Sequence, residues 1–143
     1  MPNANFLGSI PTAAPRLDVT GDAVADTTHD VANPFSVFFA LAELWRLSTD
    51  QQVTLLGSPA RSTFFKWKRD GGLLSRDTEE RISNLLGIYK ALQIVVPDPV
   101  RADQWLHQPN AYFDGRSALD VILGGRLADI LAVRQYLDAQ RGG

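Results

Sequence analysis

The chain has no cysteine, so disulfides, thiolate metal sites and cysteine nucleophiles are all excluded. It also lacks any apolar run near the roughly 20 residues that cross a bilayer. Its opening, MPNANFLGSIPTAAP, has neither the basic stretch nor the continuous apolar stretch of a secretory signal. These absences lead to the expectation of a cytoplasmic protein. Histidine is scarce too: His29 and His107 are the only two, and neither sits in a metal-ligand cluster or a serine/acid constellation at recognisable spacing. The pairs Gly71-Gly72 and Gly124-Gly125 lack the rest of any phosphate-binding loop. Asp77, Glu79 and Glu80 stand at the start of an expected helix, where acids favour the positive end of the dipole, a better account than acid–base work. Neither an enzyme nor a cofactor or metal site is expected.

Net positive charge is also missing, the formal value being −2, but its distribution is uneven. Residues 1–32 carry Arg16 against Asp18, Asp22, Asp26 and Asp30. Residues 33–95 carry eight basic and six acidic residues, and residues 96–143 five and six. Phosphate contacts are therefore to be sought in the middle third.

What is present is a chain of 143 residues, 45% hydrophobic and 21% charged, which fits one domain or two small ones sharing a core. Three segments are expected: an arm over residues 1–32, disordered or flexible; a helical domain over 33–96; and a small helical module over 97–143. The arm mixes Pro, Ala, Thr, Asp and Gly without periodicity, and ordering on a partner is its functional alternative. Asn33-Pro34 reads as cap and first position of a helix running through Phe35–Leu47. A short helix over Gln51–Leu56 follows, stopped by Gly57, and Ser58-Pro59 restarts the chain into a third that reaches about Arg69. Ser75 caps a fourth, whose apolar residues Ile82, Leu85, Leu86, Tyr89, Leu92 and Val96 mark one buried stripe. Three shorter helices complete the chain, over about 100–107, 117–123 and 126–139. No segment alternates with period two for long enough to form a strand. The expected class is all-α.

Thr49–Arg69 has the layout of a helix-turn-helix, with Ala60, Phe64 and Trp67 placed to pack inward together. Arg61, Ser62 and Thr63 would then project from the helix end that meets base edges. Lys66, Lys68 and Arg69 join Arg61 as four cations with no acid among them from Ser58 to Arg69, placed to meet phosphates. The plainer alternative is a solvated basic face on an ordinary helix pair.

Further along, Trp105-Leu106, Pro109-Asn110, Gly115, Ala118-Leu119 and Gly124 precede a final helix with Val133 and Leu137. This series resembles the toxin-binding domain of the Xre/MbcA/ParS antitoxins. The upstream Gly57-Ser58 turn, Phe64, Trp67, Arg81, Leu85 and the Tyr89–Leu92 pair are similar to the Xre-like helix-turn-helix of the same proteins. The resemblance spans roughly residues 33–141. It implies a partner toxin with a RES domain that consumes NAD, by degrading it or by modifying a target. It also implies neutralisation by C-terminal helices obstructing the NAD pocket, and operon autorepression as a homodimer or within a toxin–antitoxin hetero-oligomer.

Desolvated anchors ringed by polar groups carry such an interface. Its candidates are Asn110, Phe113, Arg116, Arg126, Arg134 and a flexible tail of Gln140, Arg141, Gly142 and Gly143. Several have a scaffold reading as well. Trp105 and Leu106 are core, Pro109 and Asn110 shape the loop, Gly115 and Gly124 form turns, and Arg126 and Arg134 are solvated. The rival function is a stand-alone DNA-binding regulator whose C-terminal helices dimerise or sense a ligand.

Overall fold

Seven α-helices and one 3-10 turn make up the described residues, 33–142, of the computed structural model. The all-α expectation holds, and among these residues the only extended pairing is a lone bridge between Pro109 and Ser117. The arm over residues 1–32 lies outside the described residues, as does Gly143.

Asn33 caps α1 (Pro34–Leu44) by accepting the Phe35 amide at 2.9 Å, and Pro34 takes the first position, where its missing N–H costs nothing. The helix buries Phe35, Phe38, Leu41 and Ala42. It stops short of the expected Leu47, because Arg46 adopts φ 56° and Leu47 donates back to the Ala42 carbonyl at 2.9 Å. Trp45 and Leu47 stay buried all the same. The apolar run there belongs to the core rather than to the helix.

A reciprocal cap between Ser48 and Gln51 opens α2 (Thr49–Leu55), two residues before the expected start. Gly57, at φ 95°, closes it. Ser58 is not the cap of the next helix. It lies at φ 59° beside Pro59, which disfavours the helical region for its predecessor. Hence α3 (Arg61–Asp70) begins two residues later than its expected first position, with Ala60 as an N-cap that makes no side-chain bond.

Ser75 accepts the Thr78 amide at 3.1 Å to start α4 (Arg76–Val95), the longest helix. Its buried stripe runs through Ile82, Leu85, Ile88, Tyr89 and Leu92. Leu86 and Val96 are only half-buried. Asp98 then caps α5 (Pro99–Trp105), and Asn110 caps a 3-10 turn over Ala111–Phe113. A Ser117/Asp120 reciprocal cap opens α6 (Ala118–Ile122). The chain ends in α7 (Leu127–Gly142), which continues past the expected Ala139.

One hydrophobic cluster runs from Phe35 on α1 to Leu137 on α7. At its centre α4 packs along α7 most extensively, and also against α1 and α5. The two halves of the chain thus share a core. Two polar seams reinforce the junction. His107 bonds the Trp45 carbonyl at 2.9 Å, and the Arg134 guanidinium donates to the Asn84 side chain at 2.9 Å.

Candidate functional site

Two candidate faces, one on α3 and one around α7, lie on either side of Arg81 in the chain, and Arg81 on α4 joins the end of α2 to the loop before α7. The residue is 8% exposed, and its guanidinium donates to the Gly125 carbonyl at 2.8 Å and, more weakly, to the Leu55 carbonyl at 3.5 Å. Asp77, one turn earlier, accepts its Nε at 2.8 Å. A single guanidinium therefore ties the end of α2 to the loop before α7. Gly57 closes against the same group: a Cβ there would lie 3.2 Å from the Asp77 carboxylate and 3.3 Å from Arg81 Nε. This explains why glycine stands at the turn, beyond the positive φ alone.

On α3, Phe64 is buried and Trp67 stacks on Phe35 with ring centroids 4.7 Å apart, so these two aromatics do seat the helix. Ala60, expected to pack with them, is exposed at the cap. Arg61, Ser62, Lys66, Lys68 and Arg69 are all exposed, while Thr63 is half-buried. The basic face is partly compensated: Arg61 pairs with Asp50 at 2.7 Å, and Arg69 with Asp70 at 3.1 Å. Lys68 stands 5.8 Å above the Phe39 ring. Lys66 and Lys68 pair with no carboxylate among the described residues. They are the cations most free to meet phosphates.

The C-terminal face is built around a cluster of rings. Tyr112, 66% exposed, lies 4.3 Å from Tyr136 on α7 between ring centroids, and Trp105 stacks on Tyr136 at 6.2 Å. Phe113 is 7% exposed and packs edge-on to both tyrosines. It forms the buried base on which Tyr112 sits. Asn110 accepts the Tyr112 amide at 2.8 Å and so orients that ring.

The flanking arginines divide by their partners. Arg116 is exposed at the end of the 110–116 loop. Arg126 grips Asp129 with two side-chain bonds of 3.2 and 2.8 Å. The hydrogen bond from Arg126 holds the Asp129 carboxyl below its usual range. Arg134 lies along α4, where a Cβ on Gly87 would fall 2.6 Å from its guanidinium. It pairs with Asp138 at 3.4 Å besides bonding Asn84, and so acts within the α4–α7 seam. Gln140, Arg141 and Gly142 were expected as a flexible tail; they are instead the last turn of α7, with Arg141 3.9 Å from Asp138. Gly143 is outside the described residues. Trp105 is half-buried and Leu106 fully buried, which places the former at the edge of the ring cluster and the latter in the core.

Sequence reasoning missed Tyr112 and Tyr136. A signal for the second was present: position 136 borders the buried positions Val133 and Leu137, where a helical side chain lies at the rim of a core stripe. Missed as well was Asp103 on α5. One of its carboxylate oxygens is buried without a hydrogen bond, and burial pushes its pKa up to about 7 against the opposing charge of Arg46.

Residues 31–87 match the family model described as the antitoxin Xre-like helix-turn-helix domain. Residues 91–143 match the antitoxin Xre/MbcA/ParS C-terminal toxin-binding domain. A curated relative from Sinorhizobium fredii, called uncharacterized protein y4oB, is 54% identical over 125 residues, covering 87% of this chain and 97% of the relative. The chain belongs to the Xre/MbcA/ParS antitoxin family. No solved structure matches it. The boundary between the two family matches falls inside α4, so the antitoxin's helix-turn-helix and its C-terminal module are joined by one continuous helix as well as by Arg81. Among the described residues no helix is long and apolar enough to cross a membrane.

Proposed function

We propose that this chain is the cytoplasmic antitoxin of a type II toxin–antitoxin system whose toxin carries a RES domain and consumes NAD. It binds that toxin through the C-terminal face, obstructs the NAD pocket, and represses its own operon through α3, as a homodimer or within a toxin–antitoxin hetero-oligomer. It acts by contact, with no chemistry of its own. The observation that carries this reading is the C-terminal family match, since it coincides with the ring cluster in which exposed Tyr112 packs with half-buried Tyr136 and Trp105.

Such a cluster has the properties of an interface anchor: large aromatic area, held in place before binding by its own stacking. Around it stand Arg116 and Arg126, with Gln140, Arg141 and Gly142 at the end of α7. Gly143, outside the described residues, is assigned to the same contact as the residue that follows in sequence. Asn110, Phe113 and Arg134 support these residues from behind. Because α7 holds its last turn, Arg141 is presented from a helix end, which suits pairing with the polar lining of an anionic-cofactor pocket. On α3, Arg61, Ser62 and Thr63 occupy the first turn, the position from which base edges are read, and Lys66, Lys68 and Arg69 serve phosphates.

The reading is tested by co-expressing the chain with the toxin candidate encoded beside it. Growth should be restored by the wild type and lost with Tyr112→Ala combined with Arg141→Ala, while DNA binding by the same variant is unchanged. A toxic neighbour that the wild-type chain fails to neutralise would sink the proposal.

A further inference from the structure

The basic face of α3 lies next to the point where the acidic N-terminal segment joins the fold. Residue 32 is bonded to Asn33, and Asn33 lies against the end of α3: a Cβ on Gly71, the residue that closes that helix, would fall 3.0 Å from the Asn33 side-chain nitrogen. The stack of Phe35 on Trp67 fixes this neighbourhood. Two large apolar side chains are exposed there as well: Phe65 on α3 itself, and Leu73, 95% exposed, two residues beyond Gly71.

Residues 1–32 carry four aspartates against one arginine. The aspartates fall at positions 18, 22, 26 and 30, every fourth residue. Phe6, Leu7 and Ile10 supply apolar groups further out. Reach is ample. The ten residues of α3 span about 15 Å, whereas the fifteen-residue stretch from Asp18 to Asn33 can bridge up to about 50 Å.

We propose that the acidic segment Asp18–Asp30 docks on the α3 face formed by Arg61, Lys66, Lys68 and Arg69, and competes there with the DNA backbone. The occupant is a segment of the same chain, so it faces α3 at an effective concentration of the order of millimolar. It opposes weak, non-specific binding, which rests on phosphate contacts alone, more than specific binding, which adds base contacts. The inference rests on the reading of α3 as the DNA-contacting helix.

Because the chain is cysteine-free, Thr20→Cys in the full-length protein gives a single attachment point for a nitroxide spin label. In the absence of DNA, amide signals of residues 61–70 should be broadened selectively by the label, and the broadening should fade at 500 mM salt. Adding a random-sequence 30-base-pair duplex at 50 mM salt should relieve it. In the unlabelled chain, Asp18→Asn, Asp22→Asn, Asp26→Asn and Asp30→Asn together should tighten binding to that duplex roughly five- to tenfold. Broadening that is absent from α3, or that persists once DNA is bound, overturns the docking while leaving the DNA reading of α3 intact. A duplex that binds neither the wild-type chain nor the fourfold variant removes the DNA reading, and the competition falls with it.

Discussion

Replacing Arg81 with Met keeps most of the side-chain volume and removes the guanidinium that links the two halves of the fold. The loss is dominated by the 2.8 Å bond to the Gly125 carbonyl, since a charged donor to a buried acceptor contributes about 1.5–3 kcal/mol and the abandoned acceptor adds its own desolvation cost. The 3.5 Å contact with Leu55 adds little. The pair with Asp77 is discounted, because that side chain is 56% exposed and solvent screens it. The sum is a destabilisation of about 3 kcal/mol, which for a chain of this length lowers Tm by about 10 °C. Urea and thermal denaturation followed by circular dichroism read it directly. The loss should persist at 1 M salt, since the dominant bond is to a carbonyl rather than to an exposed carboxylate. Hydrogen exchange should accelerate both at the end of α2 and around Gly125. A loss under 0.5 kcal/mol, or exchange that changes on one side only, would refute the role of Arg81 as the tie between the modules.

Gly57→Ala meets both a φ of 95° and a neighbour at 3.2 Å, so it should cost about 1–2 kcal/mol by urea denaturation. Asp103, pushed up to about 7 by burial from about 3.9 in an unfolded chain, holds its proton more tightly when folded. Stability should therefore fall as pH rises from about 4 to about 7 and level off above. Asp103→Asn should flatten that slope and, after discounting for a half-buried group, stabilise the protein at pH 8 by about 1–2 kcal/mol, read from urea midpoints at pH 5 to 8. Tyr112→Ala, at an exposed position, should shift stability by less than about 0.5 kcal/mol. The same variant should weaken toxin affinity at least roughly tenfold in calorimetric titration.

The elements that the sequence announced were those written in local chemistry. Asn33-Pro34 and Ser75 are caps whose side chains bond first-turn amides, and Gly57 ends the expected helix. The misreadings came where tertiary packing overrides local grammar. Leu47 looks helical because it is apolar, yet it is buried through a reversal at Arg46 that no propensity favours. Ser58-Pro59 has the letters of a helix start, but two consecutive left-handed residues delay α3. The candidate sites were legible to different degrees. The exposed cations of α3 follow from residue type and spacing. The C-terminal face does not, since Tyr112 and Tyr136 are 24 positions apart and meet only once the 3-10 turn folds back onto α7. Arg134 could not be told from a solvated arginine without Gly87 and Asn84, which lie on another helix.

The most direct test is the NAD content of cells after induction of the adjacent gene's product, with and without this chain. NAD should fall when the neighbour is expressed alone and hold near its uninduced level when the antitoxin is co-expressed, with the Tyr112→Ala and Arg141→Ala combination failing to protect. A toxic neighbour that leaves NAD unchanged and modifies no target at its expense would contradict the assignment of the partner. So would NAD that falls equally with and without the chain.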